Sequence, residues 1–83
     1  MHIEQLVTMA NDIAAFFHGS SEPDVAVAGV ADHLRRYWDP RMRKQIIAYN
    51  DAGGEGLSDL ARAAVARLAA APGAAATGQQ LSG

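Results

Sequence analysis

Apolar side chains along this chain recur at the spacing of amphipathic helices, beginning with residues 3–18. Met9 and Phe16 lie beside the main stripe of this first helix and are predicted to widen its apolar face towards more than one neighbour. Gly19 follows and is predicted to end the helix in the left-handed conformation. The main stripe comprises Ile3, Leu6, Val7, Ala10, Ile13, Ala14 and Phe17.

A second helix is predicted to start at Pro23, because proline is well placed at the first helical position. Ser21 or Glu22 would then lie near the cap. Gly29 costs roughly 1 kcal/mol relative to alanine inside a helix, which indicates close approach of another helix. The predicted inner face comprises Val25, Ala28, Ala31 or Asp32, and Leu34, with Val27 and Val30 as a second apolar edge.

The helical pattern is interrupted at Trp38-Asp39-Pro40. Proline disfavours the helical conformation at Asp39 and itself suits the start of a third helix, which is predicted to run to about Ala52. Asp39 is predicted to cap this helix by accepting from the backbone N–H of Arg41 or Met42. After the flexible stop at residues 53–56, a fourth helix is predicted, with Ser58 or Gly56 as its cap. Its apolar stripe comprises Leu57, Leu60, Ala61, Ala64, Val65 and Leu68.

These patterns predict an all-α protein, a small three-to-four-helix bundle in one domain over residues 1–71. Residues 72–83 are rich in Ala, Gly, Ser and Gln and are predicted to form a flexible, disordered tail, since they have little apolar surface to bury. A chain of 83 residues has a marginal core. Because it contains no cysteine, disulfides are excluded, and a partner or self-association is the expected additional support.

Charge and composition argue against several classes of function. The net charge of −2 disfavours nucleic acid as the main partner, and no apolar run reaches the roughly 18 residues of a membrane span. The beginning of the chain lacks the features of a signal peptide, so a cytoplasmic location is expected. Scattered His and absent Cys predict no metal site, and no acid, base and nucleophile converge, so no catalytic residue is expected. The glycines at 53–56 lack the strand and GK[ST] of a phosphate-binding loop.

The most unusual segment is residues 33–44, which combine the single Trp with five of the seven basic residues. Arg41, Arg43 and Lys44 crowd the positive end of the third helix, where each exposed cation is unfavourable by roughly 0.3–1 kcal/mol. An acidic partner or a buried carboxylate network would resolve this conflict. Trp38 either covers the core or contributes to a binding hot spot, where it would stack on the Arg43 guanidinium. The predicted partner-binding residues are Arg35, Arg36, Tyr37, Trp38, Arg41, Arg43 and Lys44.

Three segments together resemble a known family: residues 6–17, residues 33–43, and residues 53–57 followed by a Leu/Ala helix. The family is the delta subunit of NAD-dependent, molybdenum-containing formate dehydrogenases, and the resemblance extends over residues 3–70. It implies a cytoplasmic bacterial accessory subunit without a redox cofactor of its own. The resemblance further implies that partner subunits carry the bis-molybdopterin guanine dinucleotide, the iron–sulfur clusters and the flavin.

On this basis the chain is expected to be a non-catalytic accessory subunit. It would dock on the catalytic alpha subunit of formate dehydrogenase and support assembly, stability or molybdenum-cofactor loading. One alternative is a chaperone that binds the molybdopterin phosphates directly through Arg35, Arg36, Arg41 and Arg43. Another is a small nucleic-acid-binding helical domain, which salt-dependent binding would reveal. Self-association of the isolated chain is left open.

Overall fold

A computed structural model describes residues 2–19 and 22–70, and within these ranges the chain forms four α-helices and no strand. The all-α prediction is therefore confirmed, with four helices in the bundle. The predicted tail, residues 72–83, lies outside the described residues, as does the alternative cap residue Ser21. The helices are α1 (Ile3–Phe17), α2 (Pro23–Tyr37), α3 (Pro40–Asp51) and α4 (Asp59–Ala69).

The helix ends largely follow local chemistry. Pro23 and Pro40 each occupy the first position of a helix, as predicted. The Asp39 carboxylate accepts from the Met42 N–H at 2.9 Å, and the Ser58 hydroxyl accepts from the Ala61 N–H at 3.2 Å, so both predicted caps are confirmed.

The end of α1 differs from the prediction. Gly19 is not among the glycines with positive φ, so the left-handed cap expected there is wrong. Instead, His18 adopts a right-handed conformation and donates its N–H to the Ala15 carbonyl at 3.3 Å. The helix therefore ends in a tightened turn, which needs no left-handed residue.

The most extensive packing is between α2 and α4. The start of α2 lies beside the start of α4, with Pro23 and Asp59 bordering one recess. The ends of the same helices meet around Arg35 and Arg67, so the two helices run parallel. Helix α1 contacts all three others, whereas α2 and α3 contact each other little beyond the break that joins them.

The core lies between α1, α2 and α4, with Ile46 entering from α3. Many core positions on α1 and α4 are alanines, which allow the helices to approach closely. The inner face predicted for α2 is partly wrong: Ala26 is buried in place of Val25, which is 59% exposed, because the helix is rotated to meet α4 as well as α1. The buried residues of α2 are Ala26, Val30, Ala31 and Leu34.

Two predictions about α1 and its neighbours have opposite outcomes. Met9 and Phe16 do not widen the packed face, since they are 37% and 82% exposed. The close approach predicted at Gly29 is confirmed, although by a side chain: a Cβ built at Gly29 would lie 2.7 Å from the ring of Phe17. Glycine is thus required where α1 ends against α2.

Backbone hydrogen bonds at the end of α3 fix the connection between α3 and α4. The N–H of Gly54 donates to the Tyr49 carbonyl at 3.0 Å, and Gly53, with φ of 130°, forms the adjacent bond to the Asn50 carbonyl at 3.1 Å. These two bonds form a Schellman motif that satisfies the last carbonyls of α3. The glycines predicted as a flexible stop are therefore an ordered helix end.

Asn11 clamps this connection to α1. Its side-chain nitrogen donates to the Gly56 carbonyl at 2.8 Å, and its side-chain oxygen accepts from the Ser58 N–H at 2.9 Å. Asn11 lies outside the apolar stripe of α1, and the sequence gives no signal for these bonds because the partners lie 45 and 47 residues away.

Candidate partner-binding corner

The break between α2 and α3, with its flanking turns, forms a corner made of residues 35–44, called the basic corner below. At its start, the guanidinium groups of Arg35 and Arg36 both contact Asp32, at 2.8 and 3.0 Å. Their side chains remain 57% and 68% exposed, so these pairs contribute little stability. The two cations also lie in the last turn of α2, where the helix dipole favours them.

Arg43 has a structural role that its position in the sequence does not reveal. One of its terminal nitrogens donates to the Arg35 carbonyl at 3.0 Å and to the Trp38 carbonyl at 2.5 Å. Arg43 therefore caps the end of α2 from the second turn of α3. Backbone carbonyls, rather than a carboxylate network, resolve the conflict at this cation, and it contacts the backbone of Trp38 instead of stacking on the indole.

Trp38 belongs to the core. It is 4% exposed and packs in the main hydrophobic cluster, while its backbone N–H donates to the Leu34 carbonyl at 3.0 Å. The interpretation that Trp38 covers the core is confirmed. Its ring supports the basic corner from below and leaves little area for contact with another molecule.

The exposed part of the basic corner is narrower than the sequence motif. Tyr37 is 71% exposed, and its ring lies 4.7 Å from the ring of His33, centroid to centroid. Arg41 and Lys44 are exposed, and neither has an ion pair among residues 2–19 and 22–70. The role predicted for all seven residues in partner binding stays a prediction, and these three side chains are the ones freely presented.

The described part of the chain contains no group of three His, Asp or Glu side chains arranged to hold a metal ion. None of its helices has the length and apolarity needed to cross a membrane. The described residues therefore form a small all-α protein of four short helices with an exposed cationic corner.

The family can be stated more narrowly. The chain belongs to the NADH-dependent formate dehydrogenase delta subunit family, FdsD, whose family model matches residues 5–65. The matched range includes the whole basic corner and both partners of the Asn11 clamp, and it confirms the resemblance found in the sequence. No curated protein and no solved structure matches the chain.

Proposed function

We propose that this chain is a non-catalytic accessory subunit that docks on the catalytic subunit of a cytoplasmic formate dehydrogenase. Docking would support the assembly or stability of that subunit, or the loading of its molybdenum cofactor. The observation that carries the proposal is the exposure of the cations Arg41 and Lys44 near the positive end of α3, without an ion pair in the part of the chain that the structure describes, in a member of this family.

The electrostatic argument is local. Asp39 is the one acid at the start of α3, and its carboxylate already accepts from the Met42 N–H. Its charge can offset only one cation, so at least one of Arg41 and Lys44 remains unfavourable at the positive end of α3, by roughly 0.3–1 kcal/mol when exposed. An acidic partner surface would pair them, and the neighbouring Tyr37 would add the amphipathic contact area that is typical of interfaces.

The rest of the basic corner would hold these side chains in place. Arg43 fixes the end of α2 to the start of α3, and Trp38 anchors the break in the core. A contact surface with a rigid backbone loses less entropy on binding than a mobile one. The buried members of the motif would thus contribute to docking through position rather than through contact.

The proposed mechanism is stabilisation by binding. The bis-molybdopterin guanine dinucleotide, the iron–sulfur clusters and the flavin would belong to partner subunits, and this chain has no cysteine with which to ligate a cluster. If the chain binds only the state of the catalytic subunit that accepts or retains the cofactor, that state becomes more populated by mass action.

Direct binding of molybdopterin phosphates is the less favoured alternative. It needs Arg35, Arg36, Arg41 and Arg43 to converge on an anion. Arg35 and Arg36 share Asp32, and Arg43 donates to two carbonyls, so three of the four guanidinium groups are already engaged.

The test is charge reversal in the assembled enzyme. The chain is co-expressed with the other subunits as wild type, as Arg41→Glu plus Lys44→Glu, and as the control Arg62→Glu, which reverses an exposed cation on α4. We expect the corner variant to co-purify at least about tenfold less well, since central charged and aromatic contacts can each contribute about 2 kcal/mol or more. The control should assemble like the wild type.

Two further measurements make the result decisive. The melting temperature of the free corner variant should not fall, since acids suit a helix N-terminus. The molybdenum content of the purified catalytic subunit should fall together with the amount of bound delta chain. If the corner variant assembles at wild-type yield, the basic corner is not the docking surface. Molybdopterin bound to the isolated wild-type chain would favour the chaperone alternative.

A further inference from the structure

The end of the molecule opposite the basic corner exposes large apolar side chains among acids. We propose that this end is a second docking surface, for a protein partner that offers an apolar recess bordered by Lys or Arg. The surface is called the acidic-apolar patch and comprises Asp12, Phe16, Glu22 and Val25. This proposal does not depend on the basic corner being an interface.

Phe16 is the centre of the patch. Its side chain is 82% exposed although it lies in the last turn of α1, and its ring meets that of Phe17 edge-on at a centroid distance of 5.4 Å. The Phe17 ring in turn lies against α2 at Gly29. Phe17 therefore fills the groove between the two helices, and Phe16 stands outside it, where it contributes little to the fold.

Val25 brings α2 into the same surface. It lies one turn before Gly29 on the same face of α2, and it is 59% exposed. Two apolar side chains from different helices thus flank the covered groove. An isolated exposed apolar residue is ordinary, whereas a group of them bordered by polar residues marks an interaction site.

The acids of this patch have no Lys or Arg beside them in the sequence. Asp12 lies one turn before Phe16 on α1, while Glu22 directly precedes α2, and both are exposed. No Lys or Arg occurs before Arg35, so the segment that builds the patch has no cation to pair with these acids. A complementary surface must therefore be basic at its rim and apolar at its centre.

Charge also argues against two other occupants. A second copy of this chain, related by a two-fold axis, would place the same patch on both sides and bring Asp12 and Glu22 against like charges. An anionic membrane surface would repel the same acids. The family places this chain in a formate dehydrogenase assembly, and the partner we infer is a basic-rimmed protein surface of that assembly.

The experiment is photo-crosslinking in the co-expressed complex. A benzophenone amino acid replaces Phe16 in one variant, Ala66 in a control and Tyr37 in a third, all at exposed positions. The probe at position 16 should form an adduct with another subunit at least about tenfold above the Ala66 background, as expected for a central interface residue. Mapping by mass spectrometry should place the adduct in an apolar segment with neighbouring Lys or Arg.

Substitutions test the two halves of the claim. Phe16→Ser and Asp12→Lys should each reduce co-purification of the chain by about tenfold or more, as the loss of a central anchor or a charge contact does. The matched control is Asp51→Lys, an exposed acid at the end of α3. The melting temperature of each free variant should stay within about 3 °C of wild type, since exposed positions contribute little to stability.

Several results would overturn the proposal. These are an adduct at position 16 no stronger than the Ala66 background, an adduct with a second copy of this chain, or an adduct in an acidic segment. Wild-type assembly of both Phe16→Ser and Asp12→Lys would do the same. The Tyr37 probe reports on the basic corner separately, so either docking surface can fail while the other stands.

Discussion

The two ends of α2 use aromatic residues in opposite ways. Trp38, the single tryptophan, lies at the basic corner, is 4% exposed and belongs to the core. Phe16, at the acidic-apolar patch, is 82% exposed. A helix of this length separates the two ends by about 20 Å. Trp38, which resembles a binding hot spot in the sequence, stabilises the fold, whereas Phe16, which was predicted to widen the packed face of α1, is available for contact.

The same contrast holds for charge. Cations of the basic corner are partly engaged in the fold, since Arg35 and Arg36 share Asp32 and Arg43 caps α2. Around the patch, the acids of α1 and the start of α2 have no cation nearby in the sequence. A dense motif therefore mixes structural and interacting residues, and only exposure together with hydrogen bonding separates them.

The largest predicted effect tests the aromatic half of this comparison. Trp38→Ala should lower the free energy of unfolding by about 3–5 kcal/mol, because a large buried ring is lost and a cavity remains. Phe16→Ala should change it by about 0.5 kcal/mol or less, as surface substitutions do. Denaturant unfolding of both purified variants measures the difference. Similar losses for the two variants would mean that Phe16 is packed, and the patch would not be a free surface.

A smaller effect separates the two arginines that start α3. Arg43→Ala should cost about 1.5–3 kcal/mol, since hydrogen bonds from a charged donor to two carbonyls at the end of α2 are lost. Arg41→Ala should instead raise stability by about 0.3–1 kcal/mol, because it removes a cation from the positive end of the helix. Thermal melts of the two free variants give the sign directly. A stabilising Arg43→Ala would show that its bonds to Arg35 and Trp38 contribute nothing.

The smallest predicted effect concerns the contact beneath the patch. Gly29→Ala gains about 1 kcal/mol of helix propensity, but the new methyl group clashes with the Phe17 ring at a cost of about 1–3 kcal/mol. The net result should be a loss of about 1 kcal/mol. In a Phe17→Ala background the ring is absent, and the same change should become stabilising. A double-mutant cycle of unfolding free energies measures this reversal, and additive effects at the two sites would contradict it.

Features whose causes lie within a few residues could be predicted from the sequence alone. The apolar spacing predicted a bundle of three to four helices, and the prolines and short polar side chains marked where α2, α3 and α4 begin. Asp39 and Ser58 were predictable as caps because each bonds to an N–H three residues later. Membership of the formate dehydrogenase delta subunit family was likewise visible in contiguous motifs.

Features that depend on how the helices pack against one another could not be predicted from local patterns. Phe16 and Phe17 are adjacent and equally apolar, yet they point about 100° apart, and only the position of α2 determines which ring is covered. Arg43 donates to a carbonyl eight residues earlier, across the break between α2 and α3. Asn11 bonds to carbonyl and amide groups 45 and 47 residues away. No local pattern encodes such contacts, because their geometry exists only after the four helices have packed.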